Sequence, residues 1–188
     1  MQVPLIGFLN SVEVFLMIFV RMTGLFVVAP VFGRRNVPAY FKIGFSFMLA
    51  LILVNLLPMP DVENIQNIYR YAFIIVKEFV VGITIGFVAY LVFSAIYVAG
   101  QIIDMQIGFG MVNVLDPMSN IQIPVTANFY FIMSMLVFLG VKGHHLLIRA
   151  LFDSYTHIPL GQAVFGADAV NTLVAMFGNG FVIGFKIA

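Results

Sequence analysis

Apolar residues fill this chain so thoroughly that its organisation is read from the interruptions. The first apolar stretch, Val3 to Phe32, is broken only by Glu13 and Arg21, and Ala29, Pro30 and Gly33 give it a helix stop. Ile43 to Leu57 follows with 15 residues and carries Ser46 and Asn55. A polar connection, with Pro58, Pro60, Asp61, Glu63, Asn64 and Asn67, separates it from an apolar pattern entered at Tyr71. From Phe79 to Ile103 there are 25 residues without a charge, more than the roughly 20 a helix needs to cross a bilayer. Val125 to Val141 is another apolar run, and Leu146 to Tyr155 reads as an amphipathic helix with Arg149 and Asp153 four apart. Asp168 then precedes 17 uncharged residues, Ala169 to Phe185. The pattern predicts an all-α membrane protein of about six hydrophobic helices and helical hairpins, of which one comfortably exceeds spanning length.

The long helix carries a further pattern. At about 100° per residue, Glu78, Gly86, Ala89, Gly100 and Asp104 all fall within about 40° of Gly82. Small residues let another backbone approach closely, and carboxylates on the same stripe are too costly to aim at lipid. Glu78, Gly82, Gly86, Ala89, Gly100 and Asp104 are therefore a candidate helix-docking seam. Short, glycine-punctuated and charge-interrupted helices are tolerated at membrane depth when buried in protein or lining a cavity, so the seam and its neighbours are expected to pack mostly against partner subunits.

Composition sharpens this in two ways. With 62% hydrophobic and 9% charged residues among 188, the chain lies far from soluble domains, where about a quarter of residues are charged. A net charge of +1 offers no basic patch for nucleic acid, and zero cysteines remove disulfides and thiolate chemistry. Arg34, Arg35 and Lys42 form the densest positive cluster, which by the positive-inside tendency puts that connection in the cytoplasm and the N-terminus outside. No charged leader precedes the first apolar run, so a cleaved signal peptide is not expected, and the apolar ending NGFVIGFKIA suggests a truncated chain.

Candidate chemistry is sparse. Glu13 and Arg21 are candidate intramembrane charges; they sit about 80° apart on a helix, so Arg21 needs a partner elsewhere or a water interface to reach. Lys77 and Glu78 point apart and are expected to pair with other elements. Asp153, Ser154 and His157 lack the elbow and oxyanion glycines of a hydrolase, and adjacent His144 and His145 have the wrong spacing for zinc. No catalytic residue, cofactor or metal ligand is expected. After Asp104, the glycines and turn residues from Gly108 to Asn120, flanked by Met105, Met111 and Met118, describe backbone leaving the helix. Glu13, Arg21, Glu78 and Asp104 within hydrophobic surroundings would also suit a self-contained membrane ion channel or transporter.

The residues that carry a resemblance are Arg21, Thr23, Gly24, Pro30, Phe32, Gly33, Val37 and Pro38, then Glu78, Gly82 and Gly86, then AGQIIDMQIGF, Asp116-Pro117 and KGHHLLIRALFDSYTHIPLG. Together they resemble the FliR/SctT-like family of type III export-gate subunits, over nearly the whole chain, and GFGMVNVLDPMSN looks more like the flagellar branch. The resemblance implies one integral membrane export-gate domain, 1–188, ending before the family's C-terminal helices. It implies a non-enzymatic structural and gating subunit in the bacterial cytoplasmic membrane at the flagellar basal body. Expected partners are FliP-like and FliQ-like gate subunits, an FlhB-like switch protein, membrane lipid and unfolded flagellar substrates in transit. It also implies a pore plug formed by the loop from Gly108 to Asn120, with candidate gating residues Gly108, Phe109, Gly110, Met111, Asn113, Asp116, Pro117 and Met118.

Overall fold

The computed structural model describes residues 3–33, 37–57, 68–108 and 124–188, with side chains from Ser11 onward. The polar connection 58–67, Arg34 and Arg35, and the gating residues Phe109, Gly110, Met111, Asn113, Asp116, Pro117 and Met118 lie outside them. Among the described residues there are six helices: α1 Val3–Val28, α2 Ala39–Val54, α3 Ile68–Ile107, α4 Val125–Gly140, α5 Gly143–His157 and α6 Ala167–Ile187.

Proline and glycine set most of the boundaries. α1 ends at the Pro30 to Gly33 breaker, where the Gly33 amide closes back on the Ala29 carbonyl at 2.6 Å. α2 and α4 each begin directly after a proline, Pro38 and Pro124, neither of which makes a side-chain cap. Between α4 and α5 the chain breaks at Lys142, whose φ of 59° is the left-handed turn a helix end commonly adopts. Gly143 follows with its Cα against the Phe138 ring, so a side chain there would overlap the ring.

Among the described residues, three helices are long and apolar enough to cross a membrane: α1 within Ser11–Val28, α3 and α6. α4 and α5 make a fourth if counted as one bent span, and α2 is a shorter apolar helix. This corrects the expectation that only one segment comfortably reaches spanning length. Asp168 falls in the first turn of α6 rather than before it, so the helix gains a turn, and Arg21 does not shorten α1 because its charge is met inside the protein. α3 also starts earlier than expected, at Ile68, and its 40 residues rise about 60 Å, roughly twice the hydrocarbon thickness.

The chain forms two compact units, Met1–Phe87 with His145–Phe165, and Val88–His144 with Gly166–Ala188. In the first, α1 and α2 form a hairpin joined by phenyl rings: Phe47 meets Phe15 and Phe19, while Phe45 meets Phe26 and Phe32. Its core is drawn from α1, α2, α3 and α5, with Ile18, Leu25, Leu53 and Leu151 fully buried. In the second, Phe93 packs on Phe131 and Phe138 of α4, and Ala99 and Ala127 are fully buried. Hydroxyls inside the apolar helices satisfy themselves on the preceding turn, as Thr23 does on Phe19 and Thr84 on Val80, so they need no water at membrane depth.

Candidate functional site

Two carboxylates on α3 hold the polar centres of the two units. In the first unit, Arg21 of α1 and Glu78 of α3 are both fully buried, and Arg21 Nε donates to Glu78 Oε2 at 2.6 Å. Three further hydrogen bonds of the guanidinium go to α5 and the turn after it. Nη1 donates to Ser154 Oγ at 3.2 Å, and Nη1 and Nη2 both donate to the Ile158 carbonyl at 3.1 Å. The flat face of the group lies 4.3 Å over the Tyr155 ring, an added attraction for a desolvated cation. Glu78 uses its second oxygen, Oε1, to accept from the Gly161 amide at 2.8 Å. Gly161 has φ 78°, which a glycine adopts without strain, and that turn aims its N–H at the carboxylate.

One ion pair thus ties α1, α3, α5 and the turn at 158–161 together. Burying either charge alone would be prohibitive in this surrounding, and pairing with additional hydrogen bonds removes most of that penalty. Ser154 completes the arrangement by donating its own hydroxyl to the Leu151 carbonyl at 2.6 Å while accepting from Arg21. The sequence set Ser154 aside with Asp153 and His157; the structure leaves those two exposed and puts Ser154 on the arginine. The usable signal was electrostatic: an arginine and a glutamate, each inside an apolar run, each requiring a partner.

The glycines beside Glu78 explain how α1 comes so close. The Cα of Gly82 lies against the Arg21 carbonyl, and a Cβ there would overlap it. A Cβ on Gly86 would stand 2.9 Å from the Leu25 carbonyl, and one on Gly24 of α1 would stand 2.5 Å from the Phe79 carbonyl. Glycine on both helices, four residues apart on α3, is what admits a backbone-to-backbone crossing. In the second unit, Gly100 does the same for α4, its Cα lying against Ala127. The expected seam therefore receives α1 and α4 of its own chain at these three glycines, in place of the partner subunits expected there. Ala89, between them, is half-buried.

Asp104 is the second polar centre. It is buried, and its Oδ1 accepts from the Thr126 amide at 3.0 Å while Oδ2 accepts from the Ala127 amide at 3.2 Å. These are the second and third amides of α4, the ones a capping side chain would take, and Pro124 at the cap position has none to offer. The carboxylate also faces the positive end of the helix dipole. Of the remaining sequence-predicted residues, Gly108 ends α3 with φ 87° and open space around it. Glu13 is half-buried and is not the partner of Arg21; its backbone carbonyl accepts from the Tyr71 hydroxyl at 3.3 Å. Lys77 turns its ammonium over the Phe73 ring of its own helix at 4.9 Å rather than to another element.

The chain as a whole is similar to known proteins. The flagellar biosynthetic protein FliR of Bacillus subtilis (strain 168) is 37% identical over 177 residues, covering 93% of this chain and 68% of that protein. FliR of Pectobacterium carotovorum is 30% identical over 181 residues, covering 95% and 68%. FliR of Escherichia coli (strain K12) is 28% identical over 188 residues, covering 100% and 71%. The sequence profile described as bacterial export proteins, family 1, matches residues 12–188, and with that match the chain belongs to this family.

Proposed function

We propose that, as a component of the flagellar export apparatus, this chain is a non-enzymatic structural and gating subunit of the export gate. It sits in the cytoplasmic membrane at the basal body, assembles with FliP-like and FliQ-like subunits and an FlhB-like switch protein, and lines part of the path of unfolded flagellar substrates. The segment from Gly108 to Asn120 serves as the plug of the closed pore. One observation carries the structural half of this reading: Arg21, Glu78, Ser154 and Asp104 are all spent on holding helices to one another. Large apolar side chains such as Phe73, Phe129, Leu136 and Phe177 meanwhile remain exposed along the helices, a surface suited to lipid and to neighbouring subunits.

The test is a deletion of Gly108 to Asn120 in the assembled gate, followed by ion conductance across the membrane. Raised leakage with the assembly intact supports the plug. Unchanged conductance removes it. Co-purification of the tagged chain with FliP-like and FliQ-like subunits tests the assembly separately, and a chain recovered alone would overturn that part.

A further inference from the structure

We propose that one side of α6 is a wetted wall of the export path, whose carboxamides contact the backbone of an extended polypeptide in transit; this rests on the export reading above and names the surface that carries it. At about 100° per residue, every polar side chain of α6, Asp168, Asn171, Thr172, Asn179 and Lys186, falls within one sector of about 100°. Ala175, Gly178 and Val182 share that crest and add little bulk to it. The helix meets its own unit on the opposite side. Gly184 is buried there, where a Cβ would stand 2.9 Å from the Ala95 carbonyl of α3, and Leu173 and Gly180 are half-buried in the same direction. Large apolar side chains separate contact from crest, with Val174, Phe177 and Phe181 on one flank and Met176 and Ile183 on the other, all exposed.

Each side of α6 therefore asks for a different neighbour. The glycine edge has α3, and the two flanks suit lipid or the apolar surfaces of adjoining subunits. The crest suits neither. Asn171 and Asn179 are exposed and make no hydrogen bond among the described residues, and a bare carboxamide is costly to leave in hydrocarbon. Arg21, Glu78 and Asp104 are turned into the protein and bonded there, whereas α6, a helix of spanning length, turns its polar groups outward over a rise of about 27 Å from Asp168 to Lys186. Polar groups on a spanning helix face a protein interior or a water-filled cavity. A packed partner helix would have to supply a match for each group along that length, and water satisfies them all. Apolar flanks with a polar crest between them are what a helix in the wall of a water-filled passage requires. Each asparagine there offers one carbonyl acceptor and an NH2 donor, the pair that a peptide backbone seeks whatever its side chains, and the small residues between them leave room for it to approach.

Residues 1–188 contain no cysteine, so single cysteines can be placed in α6 within the assembled export apparatus. A charged, membrane-impermeant methanethiosulfonate is expected to modify Asn171→Cys, Ala175→Cys and Asn179→Cys faster than Val174→Cys, Phe181→Cys and Ile183→Cys. A photo-crosslinking amino acid in place of Ala175 or Asn179 captures a substrate polypeptide arrested in transit, and in place of Phe181 it captures a neighbouring subunit or lipid. Asn171→Leu combined with Asn179→Leu leaves co-purification intact and lowers secretion severalfold. Crest cysteines that resist the reagent and crosslink to a helix of another subunit overturn the proposal in favour of helix docking, and crest positions that capture only lipid overturn it as well. Substrate captured from other positions of the chain but never from the crest removes the polypeptide contact and leaves the export reading standing. If no position of the chain captures substrate, the export reading falls, and the labelling pattern alone decides whether the crest is wet.

Discussion

Glu78 and Asp104 stand on the same narrow face of α3, and each is buried, yet they are neutralised by different physics. Glu78 is met by a guanidinium that is itself buried, so two full charges depend on each other. Asp104 is met by two backbone amides and the partial charge of a helix end, which remain whether or not the carboxylate is there. Removing Glu78 orphans a cation; removing Asp104 orphans two amides. Membership of one helix therefore says little about how much each residue holds.

The largest effect follows from that asymmetry. Arg21→Ala or Glu78→Ala each strands a buried charge, which costs about 3–5 kcal/mol, enough to abolish accumulation of a marginally stable chain. Arg21→Met combined with Glu78→Leu removes both charges, and it is expected to retain more folded protein than either single variant. Protein level in membranes and thermal midpoint after extraction measure this. A double variant no better than the worse single one would show that the pair is not what joins α1 to α3.

How much of this was readable beforehand differs between the two centres. Arg21 and Glu78 were legible as charges lacking partners, because an apolar run on both sides leaves a charge no cheap alternative. The stripe on α3 was legible too, since it needs only helical periodicity. What occupies the stripe was not: periodicity shows that a backbone approaches Gly82 and Gly100 but carries no information on whether it belongs to the same chain. Ser154, Ile158 and Gly161 were missed for a related reason, as two of the three contribute backbone groups that any residue has. The span count went wrong where charged residues were read as interruptions, although an aspartate suits the first turn of a helix such as α6.

Next in size are the glycines that let the helices meet. Gly82→Ala puts a methyl into the Arg21 carbonyl and must displace the backbone that carries the arginine, so it damages the ion pair as well as the packing. Overpacking of this kind costs about 1–3 kcal/mol, and a backbone obstacle belongs at the upper end. Gly100→Ala meets Ala127 in the same way but has no charge pair behind it, and its loss of thermal stability should be the smaller. Equal midpoints for the two variants would break the comparison. Asp104→Asn follows, at about 1 kcal/mol for a weakened cap, well below Glu78→Gln in the same assay.

The smallest effect has the opposite sign. Gly44 lies inside α2, exposed, with nothing within 4 Å of a Cβ built on it. Alanine there removes backbone freedom from the unfolded chain and improves helix propensity, for a gain of about 0.5–1 kcal/mol. The extracted chain should melt slightly higher. Repeating the substitution in the assembled apparatus turns it into a probe of what lies outside the chain. If Gly44→Ala stabilises the isolated chain but weakens co-purification with other gate subunits, α2 uses that glycine as Gly82 is used, for close approach by another backbone. If both measurements rise together, the open space at Gly44 faces lipid, and the contrast between a glycine that admits a helix and one that merely tolerates solvent or lipid is drawn within one chain.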